Sequence, residues 1–142
     1  MEDLFAGLAK GKTFSTIDLK QAYLQMRLNA HSQKYLVINT HRGLFRYTRL
    51  PYGVNAAPGI FQRTMEQMLR DIPGVVVYID DILVTGPTGA EHLRSLGGVL
   101  KRLAKTGLRA KKHKCQFMQP QVVFLGHVID DKLKVQIWGL KG

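Results

Sequence analysis

Apolar and polar positions along this chain change period several times, and each change marks an element. Residues 13–18, Thr-Phe-Ser-Thr-Ile-Asp, are short and β-branched and predict a strand, although their alternation is not clean. Residues 34–39 and 44–49 predict a hairpin that turns near Arg42-Gly43. From Pro58 the period lengthens to that of a helix. Phe61, Met65, Met68, Leu69 and Ile72 fall on one face, with Gln62, Arg63, Glu66, Gln67 and Arg70 elsewhere, until Pro73-Gly74 stops it. A second hairpin follows over residues 75–79 and 82–85, closed by Gly86-Pro87. Thr88 and Glu91 have capping-box spacing and open a second helix that ends at Gly107. Its predicted inner face carries Leu93, Leu96, Leu100 and Leu103. Gly97-Gly98 in its middle costs about 1 kcal/mol per glycine against alanine. Two more strands are predicted over residues 114–117 and 122–129, on either side of Pro120. The whole reads as an α+β fold built on a mainly antiparallel sheet.

Two acids break the second hairpin. Asp80-Asp81 interrupts the run Val75-Val76-Val77-Tyr78-Ile79 and Ile82-Leu83-Val84. A buried ionised carboxylate costs several kcal/mol unless something compensates it. The compensation is a cation, a basic partner, or a turn that lifts the pair into water. Adjacent strand residues point to opposite faces, so both acids serve one site only if the doublet sits at the bend. A third acid, Asp18, ends the strand-like stretch Phe14-Ser15-Thr16-Ile17. If that strand lies beside the acidic hairpin, Asp18 and Asp80 can meet. Carboxylates so placed could hold two Mg²⁺ ions for phosphoryl transfer. The plain reading is that Asp18 caps a helix and Asp80-Asp81 forms an Asx turn.

Composition narrows the partners. The chain has 142 residues, a natural size for one domain, and is 45% hydrophobic, enough for a real core. Its net charge of +11 suits a polyanion such as nucleic acid. The one cysteine, Cys115, excludes an internal disulfide and points to a reducing intracellular compartment, cytoplasmic or nuclear. Glu2 and Asp3 at the start do not resemble a secretory signal, and no run approaches the ~20 apolar residues that span a bilayer, so no membrane partner is expected.

Four segments carry a resemblance. Phe14-Ser15-Thr16-Ile17-Asp18-Leu19-Lys20-Gln21-Ala22-Tyr23 resembles the first palm motif of reverse transcriptases. Leu50-Pro51-Tyr52-Gly53-Val54-Asn55-Ala56-Ala57-Pro58, running on to Phe61-Gln62, resembles the second. Tyr78-Ile79-Asp80-Asp81 resembles the acidic box, and Phe124-Leu125-Gly126-His127 the primer-contacting strand. The order and spacing are most similar to gypsy-type LTR retrotransposons, over residues 1–130, with residues 131–142 as a tail that does not resemble the family.

The resemblance implies RNA-directed DNA polymerase chemistry with Mg²⁺ or Mn²⁺, on a palm whose sheet of about four strands has helices on one face and the site on the other. It implies Asp18, Asp80 and Asp81 as catalytic metal ligands, with the Leu19 carbonyl beside them. Tyr23 matches the aromatic under the incoming sugar, or is a core tyrosine. Tyr52 and Gly53 match the loop beside the nascent base pair, where a small residue admits close backbone approach. Gln62 contacts template or lies on a solvated helix face. Leu125 and Gly126 contact the primer. A lysine near the leaving pyrophosphate is implied among Lys111, Lys112 and Lys114, in a basic cluster with Lys101, Arg102, Lys105 and Arg109; a charged, solvated surface is the alternative. Cys115 is expected to be packed rather than reactive. Implied partners are an RNA/DNA template–primer, deoxynucleoside triphosphates, and further polyprotein parts such as ribonuclease H and integrase.

In the family a fingers region precedes the stretch matching Glu2, and a thumb follows the primer strand. With fingers largely missing and no thumb, the chain alone is expected to polymerise weakly or not at all. The alternative is a non-catalytic nucleic-acid-binding remnant of a decayed retrotransposon.

Overall fold

The computed structural model describes residues 11–19, 33, 37–49, 57–131 and 136–137. Its centre is a four-stranded antiparallel sheet of β1 (Phe14–Asp18), β4 (Val75–Tyr78), β5 (Asp81–Thr85) and β6 (Gln116–Gln119), ordered β4-β5-β1-β6. Separate from it are the hairpin of β2 (Val37–Thr40) and β3 (Gly43–Arg46), and a second sheet of β7 (Gln121–Phe124), β8 (His127–Asp130) and β9 (Gln136–Ile137). Two helices are seen among the described residues, α1 (Ala57–Leu69) and α2 (Gly89–Thr106).

Strand alternation assigns each residue of the central sheet to a face. Ile17, Leu19, Val77, Ile82 and Val84 point to the helices, where Phe61, Met65 and Leu69 of α1 meet Leu96, Val99 and Leu103 of α2. The opposite face presents Phe14, Val76 and Leu83, covered by Val122, Phe124 and Ile129 of the second sheet. Each layer buries one stripe, and full burial of a Leu, Ile, Val or Phe contributes about 1.5–3 kcal/mol.

Helix α2 begins where capping predicts: Thr88 Oγ1 accepts the Glu91 amide at 3.1 Å. It ends at Gly107, φ 78°, with Leu108 N–H on the Leu103 carbonyl and Gly107 N–H on Ala104, a Schellman closure. Its inner face differs from the predicted one. Leu93 and Leu100 are 57% and 40% exposed, and the buried side is His92, Ser95, Leu96, Val99 and Leu103. The polar seats are satisfied. His92 bonds Thr13 Oγ1 at 2.7 Å and Ser15 Oγ at 2.8 Å, and Ser95 donates to the Pro73 carbonyl. The hydroxyls of Thr13, just before β1, and of Ser15 in it therefore seat a histidine on the face where leucines were expected.

Three strand boundaries also shift. The acidic hairpin pairs Tyr78 with Asp81, so its two-residue turn is Ile79-Asp80 and Asp81 opens β5. The predicted strand 122–129 is a hairpin, because Leu125 and Gly126 take positive φ (53° and 76°) and fold the chain back. The predicted strand 114–117 starts later: Lys112–Lys114 is a 3₁₀ turn and β6 begins at Gln116. From the tail, Gln136–Ile137 adds strand β9 to β8.

Candidate active site

The β1–β5 register sets Asp18 directly across from Asp81. Directly opposed residues of an antiparallel pair share a face. That face is the one turned away from α1 and α2. Tyr78, the Asp81 partner on β4, stands in the same row and is 47% exposed. Sequence reasoning gave Tyr78 no role, although its position two residues before Asp80 in the strand–turn pattern was visible. Asp80 lies in the turn, and its carbonyl accepts the Leu19 amide at 2.8 Å. The Asp18 carbonyl accepts the Lys111 amide at 2.7 Å, and Leu19 bridges to Ala110. Backbone bonds thus pin the end of β1 between the acidic turn and the basic segment.

Of the three carboxylates, Asp81 is the one whose surroundings act on it most clearly. Burial pushes the Asp81 carboxyl up from 3.8 to about 6, with help from the negative charges of Asp80 and Asp18, while Lys114 pulls it down. Of the three lysine candidates, Lys114 is the one whose charge acts on Asp81. Lys114 also lines a groove of about 270 Å³ with Thr16, Gln116, Gln121, Val122 and Val123. Thr16 is two residues before Asp18 on the same face, so the groove opens beside the carboxylates.

Among the described residues no three His, Cys, Asp or Glu side chains are gathered closely enough to hold a metal ion. The carboxylates are neighbours, not a closed ligand cage. Their chemistry nonetheless fits a hard divalent cation: the donors are all oxygen, and burial together with the charges of Asp80 and Asp18 raises the Asp81 pKa, a cost that a bound cation relieves.

The turn itself is strained. Ile79 has φ 54°, a region β-branched residues rarely enter. Such a conformation costs on the order of 1–3 kcal/mol. Gln62 of α1 holds it: its Oε1 accepts the Ile79 amide at 2.7 Å and its Nε2 donates to the Val77 carbonyl at 2.7 Å and to Glu66 Oε1 at 2.8 Å. The amide assigned from the resemblance to template, or to solvent, is engaged within the protein. Partners 15 and 17 residues away left no sequence signal for this.

Other assigned residues divide. Leu125 and Gly126 form the β7–β8 turn, where His127 Nδ1 lies 2.8 Å from the Leu125 carbonyl. Lys112 is exposed and Lys111 partly buried. Arg102 of the basic cluster makes a two-point salt bridge to Asp71, drawing that carboxyl down to about 2, and donates to the Met68 carbonyl at 2.6 Å. Cys115 is partly buried and donates to the Lys111 carbonyl at 3.3 Å. Tyr23, Tyr52 and Gly53 lie outside the described residues. Among the described residues no helix is long and apolar enough to cross a membrane.

An antiparallel sheet with carboxylates at the mouth of a tight hairpin, helices behind and a second small sheet alongside is the palm arrangement of a template-directed polymerase. The chain belongs to the reverse transcriptase (RNA-dependent DNA polymerase) family, which matches residues 2–129. It is 46% identical over 127 residues to an uncharacterised protein of Caenorhabditis elegans, covering 89% of this chain and 10% of that protein. It is 33% identical over 128 residues to the retrovirus-related Pol polyprotein from transposon gypsy of Drosophila melanogaster, covering 89% and 12%. The chain therefore spans about a tenth of the length of these relatives. Among solved structures it is similar to the foamy viral protease–reverse transcriptase in complex with double-stranded DNA, with TM-score 0.79 and 30% identity over 92% of this chain and 23% of that one. The foamy viral enzyme in complex with an RNA/DNA hybrid gives TM-score 0.74 and 31% identity over 88% and 18%.

Proposed function

We propose that this chain is the palm part of an RNA-directed DNA polymerase that adds deoxynucleotides to a primer 3′-hydroxyl on an RNA or DNA template. Residues 1–130 form that part and residues 131–142 its tail. The observation that carries the reading is the facing pair Asp18 and Asp81, with Asp80 in the adjoining turn, on the face turned away from α1 and α2. Asp18, Asp80 and Asp81, with the Leu19 carbonyl, would hold Mg²⁺ or Mn²⁺. When bound, the ions supply activation of the attacking hydroxyl and charge stabilisation at the leaving oxygen. Lys114 lies on the same side and its ammonium offsets negative charge developing on the departing pyrophosphate. Tyr23 would floor the incoming sugar, Tyr52 and Gly53 would border the nascent pair, and the Leu125-Gly126 turn would hold the primer. Ribonuclease H and integrase parts of a longer polyprotein are the proposed companions, because the gypsy relative is a Pol polyprotein of which this chain covers 12%.

A second reading, nucleic-acid binding without catalysis, is favoured by the net charge of +11 alone. A primer-extension assay with Mg²⁺ or Mn²⁺, wild type beside Asp80→Asn, separates the two. Catalysis predicts weak metal-dependent extension by the chain alone, which the variant abolishes. Salt-sensitive duplex binding with no extension supports the second reading.

A further inference from the structure

Gln62 stands behind the acidic turn and bonds the turn's backbone rather than its carboxylates. It makes the bonds that define the turn: the Ile79 amide to its Oε1 and its Nε2 to the Val77 carbonyl, both at 2.7 Å. The side chain is partly buried and springs from α1, whose neighbouring Phe61 and Met65 are fully buried, so its base is fixed. Ile79 would leave φ 54° readily if nothing held it, because a β-branched side chain crowds its own backbone there. Leaving it would swing Asp80 away from the end of β1, where its carbonyl bonds Leu19.

We propose that Gln62 is a positioning residue: it clamps the Ile79-Asp80 turn in its left-handed form and so aims Asp80 and Asp81 toward Asp18. This rests on the proposed metal role of the carboxylates for its purpose, though not for its geometry. Second-layer groups that orient ligands typically change metal affinity about 10- to 100-fold when removed. Glycine at position 79 occupies positive φ without strain, so it makes the clamp largely unnecessary.

The test uses the ¹⁵N-labelled chain as wild type, Gln62→Ala, Glu66→Ala, Ile79→Gly and the Gln62→Ala/Ile79→Gly double variant. The first readout needs no metal. A strong intraresidue amide–Hα cross-peak at Ile79 reports positive φ, and slow exchange of its amide reports the bond to Gln62. Wild type should show both. Gln62→Ala should lose the cross-peak while keeping its fold, and Glu66→Ala, which leaves the bonds to Val77 and Ile79 in place, should keep it. The second readout is Mn²⁺ affinity, about tenfold weaker in Gln62→Ala and recovered in the double variant. An unweakened Ile79 cross-peak in folded Gln62→Ala overturns the proposal, as does a fast-exchanging Ile79 amide in wild type if no variant folds. If wild type binds no Mn²⁺ but the cross-peak responds to Gln62, the metal reading fails and the clamp stands.

Discussion

Asp81 occupies a position where burial and charge pull against ionisation, and that conflict sets its pH behaviour. Its folded pKa of about 6 lies above the ordinary 3.8, so the native chain holds a proton that the unfolded chain has released. The stability it contributes is present below about pH 4 and is lost as pH rises through about 6. Asp81→Asn keeps the side chain neutral and should stabilise the metal-free chain at pH 7.5 by on the order of 1 kcal/mol, discounted for partial solvent access. A denaturant midpoint that does not rise would contradict this. Mn²⁺ must displace the same proton, so its affinity should fall as pH drops through about 6. Lys114→Ala removes the cation that opposes the shift and should move that pH midpoint upward, read by Mn²⁺ titration at stepped pH.

At the scale of elements, α2 carries two independent predictions. Gly97 is exposed, and nothing lies within 4 Å of where its Cβ would stand. Gly97→Ala should therefore stabilise the chain by about 0.5–1 kcal/mol, seen as a higher denaturant midpoint at unchanged slope. Burial lowers the His92 pKa below its ordinary 6.5, and the ring bonds Thr13 and Ser15. The sign is opposite to that of Asp81: the unfolded chain binds the extra proton, so stability is present above pH 6.5 and declines as pH falls below it. His92→Gln should lower stability at pH 7.5 and remove the His92 loss between pH 7.5 and 5.5, leaving the opposite slope of Asp81 in that window. An unchanged slope would show that His92 does not set it. The element scale is also where the sequence misleads. Leu93, Leu96, Leu100 and Leu103 fit a helical stripe as well as the true inner face does, and the hydroxyls that decide between them lie 77 and 79 residues away. The acidic doublet was legible because charge inside an apolar run is expensive anywhere. Its exact turn was not, because a one-residue shift depends on Gln62 holding Ile79.

For the whole molecule, the net charge of +11 predicts phosphate-led binding. Affinity for a duplex should fall roughly 10- to 1,000-fold between 50 and 200 mM salt and vary little with sequence. Salt-independent binding in a fluorescence-anisotropy titration would mean the charge is merely solvated. Arg102 is paired with Asp71 at the surface, whereas Lys114 flanks the groove beside the acids. Topology explains why these parts meet. β1 lies between β5 and β6, so Asp18 has the acidic hairpin on one side and the basic segment on the other. Motif order in the sequence implied this company, and the backbone bonds from Leu19 to Asp80 and from Lys111 to Asp18 supply the physical link.

Whether Asp18, Asp80 and Asp81 form the proposed divalent-metal site is read most directly by paramagnetic broadening with Mn²⁺. Substoichiometric Mn²⁺ added to the ¹⁵N-labelled chain should first erase the amide signals of Asp18, Leu19, Asp80 and Asp81, and Asp80→Asn should protect them. Broadening that centres elsewhere, or that Asp80→Asn leaves unchanged, would contradict the account.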